Sequence, residues 1–172
     1  MDKQESLEET ELRNRVVRGH ARLQTFQPAD ANPDVRLLDH DSLLVPGQLG
    51  IVPVDQALDF LPLGRIKGAG QAWNGPYAPA IDQVMEGVAE VYRYLAGAII
   101  FSGMGDDGAA SCQLMRRLGG PVWVQEPASC ICAAMPQAAM ATGRVDRVAD
   151  PAGLAQALRE LYSTTNIRQE RV

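Results

Sequence analysis

Ala98-Ile-Ile-Phe-Ser-Gly-Met-Gly-Asp-Asp-Gly-Ala-Ala-Ser111 joins an apolar run to a glycine turn. Ala98 to Phe101 is rich in β-branched side chains and reads as a buried strand. Gly103, Met104 and Gly105 form a tight turn in which two glycines can take positive φ. Asp106 or Asp107 can cap a helix over about 108–118, with Ala109, Leu114, Met115 and Leu118 on its apolar side. Strand, turn and helix put the glycines at the carboxyl end of a parallel strand, where open α/β sheets place ligands and chemistry.

The neighbouring segments extend this pattern. Ile81 to Leu95 is the most strongly periodic helix, with Ile81, Val84, Met85, Val88, Tyr92 and Leu95 on one face and Pro79 just before its start. Gly119-Gly120 ends the central helix, and Pro121 to Gln125 is the next strand. Ala128 to Ala141 reads as two short helices split by Pro136. Arg144 to Val148 is a short strand. Asp150-Pro151 starts a last helix, Ala152 to Tyr162, and Ser163 to Val172 is a polar tail. This alternation predicts an α/β fold with a doubly wound, mostly parallel sheet.

Upstream, Val35 to Leu38, Leu43 to Val45, Leu49 to Val54 and Leu58 to Leu61 are short strand candidates, with a turn at Asp39-His40-Asp41-Ser42. Together they read as a β-ribbon or meander at the edge of the domain. Lys67 to Pro79 is a long loop rich in glycine and proline. Residues 1–33 differ from the rest: acids crowd Asp2 to Glu11, then come Arg13, Arg15, Arg18 and Arg22, and Gly19 interrupts an apolar stripe. The expected organisation is a helical or partly disordered arm over 1–33, an α/β domain over 34–164 and a flexible tail over 165–172.

The 172 residues suit one domain with a real core, and 46% are apolar. The net charge of −5 argues against a large nucleic-acid surface. No apolar run approaches the roughly 18 residues of a membrane span, and the charged N-terminus is unlike a signal peptide. Cys112, Cys130 and Cys132 read as reduced thiols in a cytoplasmic protein. Cys130-x-Cys132 has no second pair and no nearby histidine, so burial as small apolar residues is expected, with no metal and no cofactor.

Gly103-x-Gly105-x-x-Gly108 also fits the dinucleotide fingerprint, with Glu126 as the acid after the next strand. Asp106 and Asp107 argue against it, because they would repel a pyrophosphate at the helix start. The motif also stands late in the chain for one that normally opens its domain.

Gly103-Met-Gly-Asp-Asp-Gly-Ala-Ala110, then Ala128-Ser-Cys130, Met135-Pro136 and Gly143 to Asp150, resembles the carboxyl half of the catalytic domain of the chemotaxis protein-glutamate methylesterases (CheB). Pro79-Ala-Ile-Asp82 and the Asp39 to Pro53 ribbon resemble the same family, and the resemblance covers about residues 35–158. It implies a Rossmann-like domain that hydrolyses glutamate methyl esters on chemoreceptor cytoplasmic domains with a Ser-His-Asp triad. Asp107 stands at the position of the triad acid, which orients the histidine and stabilises its imidazolium. Met104, with Gly103 and Gly105, stands at the family's site wall and oxyanion region. Asp106 falls on a variable position and reads as a helix cap; capping is the alternative for Asp107 as well.

The family's serine turn, Gly-x-Ser-Thr-Gly-Gly, does not occur in this sequence, and none of Ser6, Ser42, Ser102, Ser111, Ser129 and Ser163 has that glycine context. Of the two histidines, His20 after Val16-Val17 is the candidate for the triad, and His40 lies in a polar turn. A hydrolase without its nucleophile keeps only the residual rate from binding. The expectation is therefore a methylesterase-like domain that is inactive or incomplete in this chain, through loss of a first third, through degeneration, or with Cys130 or Cys112 as a replacement nucleophile. The alternatives are a non-catalytic interaction module of a chemotaxis-like system and a dinucleotide-binding domain. The expected partner is a methylated chemoreceptor or related signalling protein, without nucleic acid or membrane insertion.

Overall fold

The computed structural model describes residues 34–39, 41–45 and 47–169, with side-chain burial described up to residue 161. The 1–33 arm, His20, His40 and the last three residues of the tail lie outside them. The chain divides into two compact units, 1–72 and 73–172.

In the first unit, β1 (Asp34–Leu37) pairs parallel with β3 (Gln48–Ile51). A separate antiparallel sheet has the order β2 (Ser42–Leu43), β5 (Arg65–Gly68), β4 (Leu58–Phe60). The expected meander thus describes only the second sheet. The connection from β1 to β3 contains β2, which leaves to pair with β5 (Ser42 opposite Ile66), so β3 returns in the direction of β1. β5 was hidden in the sequence because Lys67 and Gly68 read as the start of a glycine loop. Its Ile66, 1% exposed, stands opposite the buried Phe60, and Ala57 and Leu58 are buried as well.

The second unit is built on a parallel sheet of order β6 (Ala98–Ile100), β7 (Val122–Gln125), β8 (Arg147–Ala149). Strand alternation sends Ile100, Val122 and Val124 to one face. There they form a core with Met85 and Ala89 of α1 (Ile81–Tyr92), Cys112 and Met115 of α2 (Cys112–Arg117), and Ala139 of α3 (Ala134–Ala141). Trp123 points to the opposite face, against Leu154 and Ala157 of α4 (Pro151–Gln169). Helices on both faces bury the central strand: every residue of β7 is buried, Val122 to Val124 as apolar core and Gln125 as a hydrogen-bonded polar residue at its end. Burial of each aliphatic side chain there contributes about 1.5–3 kcal/mol.

Several helix boundaries differ from the sequence reading. The central helix is short: 107–111 form turns, and in them Asp107 and Ser111 hydrogen-bond to the start of α1. Pro136 does not split its segment: it sits in the first turn of α3, where a missing N–H costs nothing, and the break lies at 130–133. Asp150 caps α4 as expected, its Oδ1 accepting the Gly153 N–H at 2.7 Å, and the helix runs on to Gln169.

Candidate active site

β6 ends at Ile100, and the chain leaves the carboxyl edge of the parallel sheet through Ser102-Gly103-Met104-Gly105. Hydrogen bonds to the neighbouring loop fix this exit. The Ser102 hydroxyl donates to the Cys132 carbonyl and accepts the Cys132 N–H, at 3.1 and 3.0 Å. Gly103 N–H donates to the same carbonyl at 3.0 Å, and the Gly103 carbonyl accepts Met135 N–H at 3.1 Å. The end of β7 secures both loops: buried Gln125 accepts the Ser102 N–H through Oε1 and donates through Nε2 to the Ser129 carbonyl. The Gly103 N–H is therefore already engaged. Met104 stands out from the turn, 81% exposed.

Gly105 has φ +83°, which favours glycine, and a Cβ there would stand 2.7 Å from the Tyr77 hydroxyl oxygen, so a larger residue would also displace that ring. Tyr77 lies over the turn and donates its hydroxyl to Asp106 Oδ1 at 2.8 Å. That hydrogen bond holds the Tyr77 pKa above its usual value. The Asp106 side chain is thus the acceptor for Tyr77 rather than the expected helix cap.

Asp107 is the buried acid of the turn, 6% exposed. Its Oδ2 accepts the Ile81 N–H at 2.7 Å and its Oδ1 the Asp82 N–H at 2.9 Å. These are the first N–H groups of α1, and the N-cap residue Ala80 has no side chain to satisfy them. Asp107 therefore caps a helix that begins 26 residues earlier in the chain. Asp82 answers in kind: its Oδ1 accepts the Ser111 N–H at 2.8 Å, and its carbonyl accepts the Ser111 hydroxyl at 2.9 Å, just before α2. The two carboxylates form a reciprocal clasp between the starts of α1 and α2. Pro79-Ala-Ile-Asp82 carried a signal for the start of α1, but nothing in the sequence tied Asp82 to Ser111.

A carboxylate has about four acceptor positions. Two are used at Asp107, so its oxygens retain capacity for another donor. Gly103, Met104, Gly105 and Asp107 lie along one turn, with the Gly103 N–H engaged by the Cys132 carbonyl. The placement of His20 beside them lies outside the described residues.

Cys112 is fully buried and donates its thiol to the Gly108 carbonyl. Burial, with the Asp82 charge adding to it, pushes this thiol up to about 11. A nucleophilic cysteine needs the thiolate, so Cys112 is unsuited to replace the serine. Cys130 and Cys132 are partly exposed free thiols. The dinucleotide reading also loses its support, since a pyrophosphate site needs a helix opening at the third glycine. Here α2 starts only at Cys112, four residues after Gly108.

The profile of the family described as CheB methylesterase matches residues 21–158, and so begins inside the 1–33 stretch. A protein-glutamate methylesterase/protein-glutamine glutaminase 3 of Anaeromyxobacter dehalogenans (strain 2CP-C) is 36% identical over 132 residues, covering 76% of this chain and 39% of the relative. The protein-glutamate methylesterase FrzG of Myxococcus xanthus is 31% identical over 123 residues, 71% of this chain and 36% of the relative. The chain thus spans less than two fifths, 36–39%, of the length of these relatives. Among solved structures, the catalytic domain of the Thermotoga maritima CheB methylesterase matches with a TM-score of 0.66 at 25% identity, over 72% of this chain and 67% of that one. Fold, glycine turn and sequence agree: the chain carries a methylesterase-like α/β domain and belongs to the CheB methylesterase family.

Proposed function

We propose that this chain carries the acid-bearing part of a methylesterase-type site that recognises methylated glutamates on chemoreceptor cytoplasmic domains, and that on its own it binds them without hydrolysing the ester. Hydrolysis adds water across the ester carbonyl and releases methanol. In a triad enzyme it needs a serine to attack, a histidine to take its proton and an acid to orient the histidine. Asp107 supports the third role: it is buried, fixed by two backbone N–H groups, and stands at the carboxyl end of a parallel sheet. The sequence offers no serine in a nucleophile turn, and both histidines fall outside the described residues. The exposed Met104 beside the turn supplies an apolar contact for the receptor segment. The reading places the chain in the cytoplasm, working without cofactor, nucleic acid or membrane insertion. Among the described residues, no helix is long and apolar enough to cross a membrane.

The test combines methanol release with binding of a methylated receptor cytoplasmic fragment. The expected result is saturable binding without methanol above background, weakened about tenfold by Met104→Asp. Release of methanol at enzymatic rates would overturn the claim of incompleteness. Failure of the folded chain to bind the fragment would overturn the receptor assignment.

A further inference from the structure

A concave feature of the 73–172 unit shares no residue with the glycine turn. It is a cleft of about 470 Å³ between the last turn of α2 and the loop before β8, lined by Gln113, Arg116, Arg117, Gly143, Arg144 and Asp146 among others. Three arginines face one aspartate. Arg116 and Asp146 neutralise each other, with Nη2 and Oδ1 2.9 Å apart. Both also reach into the fold: Arg116 Nη1 donates to the Gly120 carbonyl at 3.1 Å, and Asp146 Oδ2 accepts the Val122 N–H at 2.8 Å. This pair is structural, because it closes the end of α2 onto the start of β7.

Arg117 and Arg144 are different. Both are exposed, and neither side chain has a hydrogen bond or ion pair among the described residues. Basic side chains near a helix end often serve its last carbonyls. No such bond is made by Arg117, and Arg116 is committed to Asp146 and to the Gly120 carbonyl beyond the helix, which leaves two guanidinium groups uncompensated in one cleft. The loop opposite is open: a Cβ at Gly143 would meet nothing within 4 Å. Guanidinium presents a planar fork of donors that matches phosphate oxygens two at a time. The volume exceeds that of one phosphate, and the lining has no aromatic ring on which a base would stack.

We propose that this cleft binds a phosphate group, as the free ion or as the ester of a small non-aromatic metabolite, through Arg117 and Arg144. The site is independent of the ester-recognising turn, and its test does not use receptor.

Calorimetric titration of the full chain at fixed ionic strength, with inorganic phosphate and with glucose 6-phosphate, tests it. The expected result is saturable one-to-one binding of at least one of the two. It should weaken at least tenfold in the Arg117→Ala/Arg144→Ala double variant and stay unchanged in Arg65→Ala. Tighter binding of the sugar phosphate assigns the ester; equal or tighter binding of inorganic phosphate assigns the free ion. Circular dichroism and the melting temperature of the double variant should match the parent, since both side chains are exposed. Absence of saturable binding, or equal binding in parent and double variant, would overturn the proposal.

Discussion

Replacing Asp107 by alanine removes the acceptor of both the Ile81 and Asp82 N–H groups at the start of α1. Each hydrogen bond to a charged group is worth about 1.5–3 kcal/mol. The favourable charge at a helix N-terminus adds about 0.3–1 kcal/mol. Because the two N–H groups are only partly buried, water recovers some of the loss, and the low end of these ranges applies. The predicted cost is about 3–4 kcal/mol. For a chain of this size that is a fall of about 6–15 °C in Tm. Asp107→Asn keeps one acceptor oxygen but turns an NH2 towards the other N–H, so it should lie between parent and alanine. Chemical denaturation measures the cost, and amide hydrogen exchange at Ile81 and Asp82 locates it. The control is Asp106→Ala, which loses only the exposed Tyr77 hydroxyl contact and should cost under about 1 kcal/mol. A loss below about 1 kcal/mol for Asp107→Ala, with unchanged exchange at those two amides, would refute the capping role.

Gly105→Ala should destabilise by about 1–3 kcal/mol, because alanine is strained at φ +83° and its Cβ crowds the Tyr77 hydroxyl; urea unfolding checks it. Asp106→Asn should bring the Tyr77 titration back down, read by ultraviolet absorbance of the phenolate, since the carboxylate acceptor is what raises it. Cys112 should resist iodoacetamide at pH 8 while Cys130 and Cys132 react, as mass spectrometry will show. The same burial favours the neutral thiol in the folded state. Its contribution is complete below the ordinary thiol value of 9.0 and is lost as pH rises to about 11, so stability should fall less steeply over that range in Cys112→Ala than in the parent, as urea unfolding at stepped pH will show.

The α/β alternation after residue 80, the strand and turn at 98–108, and the carboxylate at 107 could all be read from the order of amino acids. Those features are local: β-branched runs, glycine where φ is positive, and helical periodicity act over a few neighbouring residues. The buried run Val122 to Val124 of β7 was legible for the same reason. The task of each carboxylate, by contrast, was settled by long-range packing. Asp106 and Asp107 are adjacent in sequence, yet one accepts an exposed tyrosine hydroxyl and the other caps a helix 26 residues upstream. Local pattern carries no record of such partners, because the donors belong to Tyr77, Ile81 and Asp82, brought close only when α1 packs beside the turn. The parallel pairing of β1 with β3 and the pairing of β2 with β5 were hidden in the same way. Strand propensity states that a segment is extended, and the choice of partner is made by non-local packing.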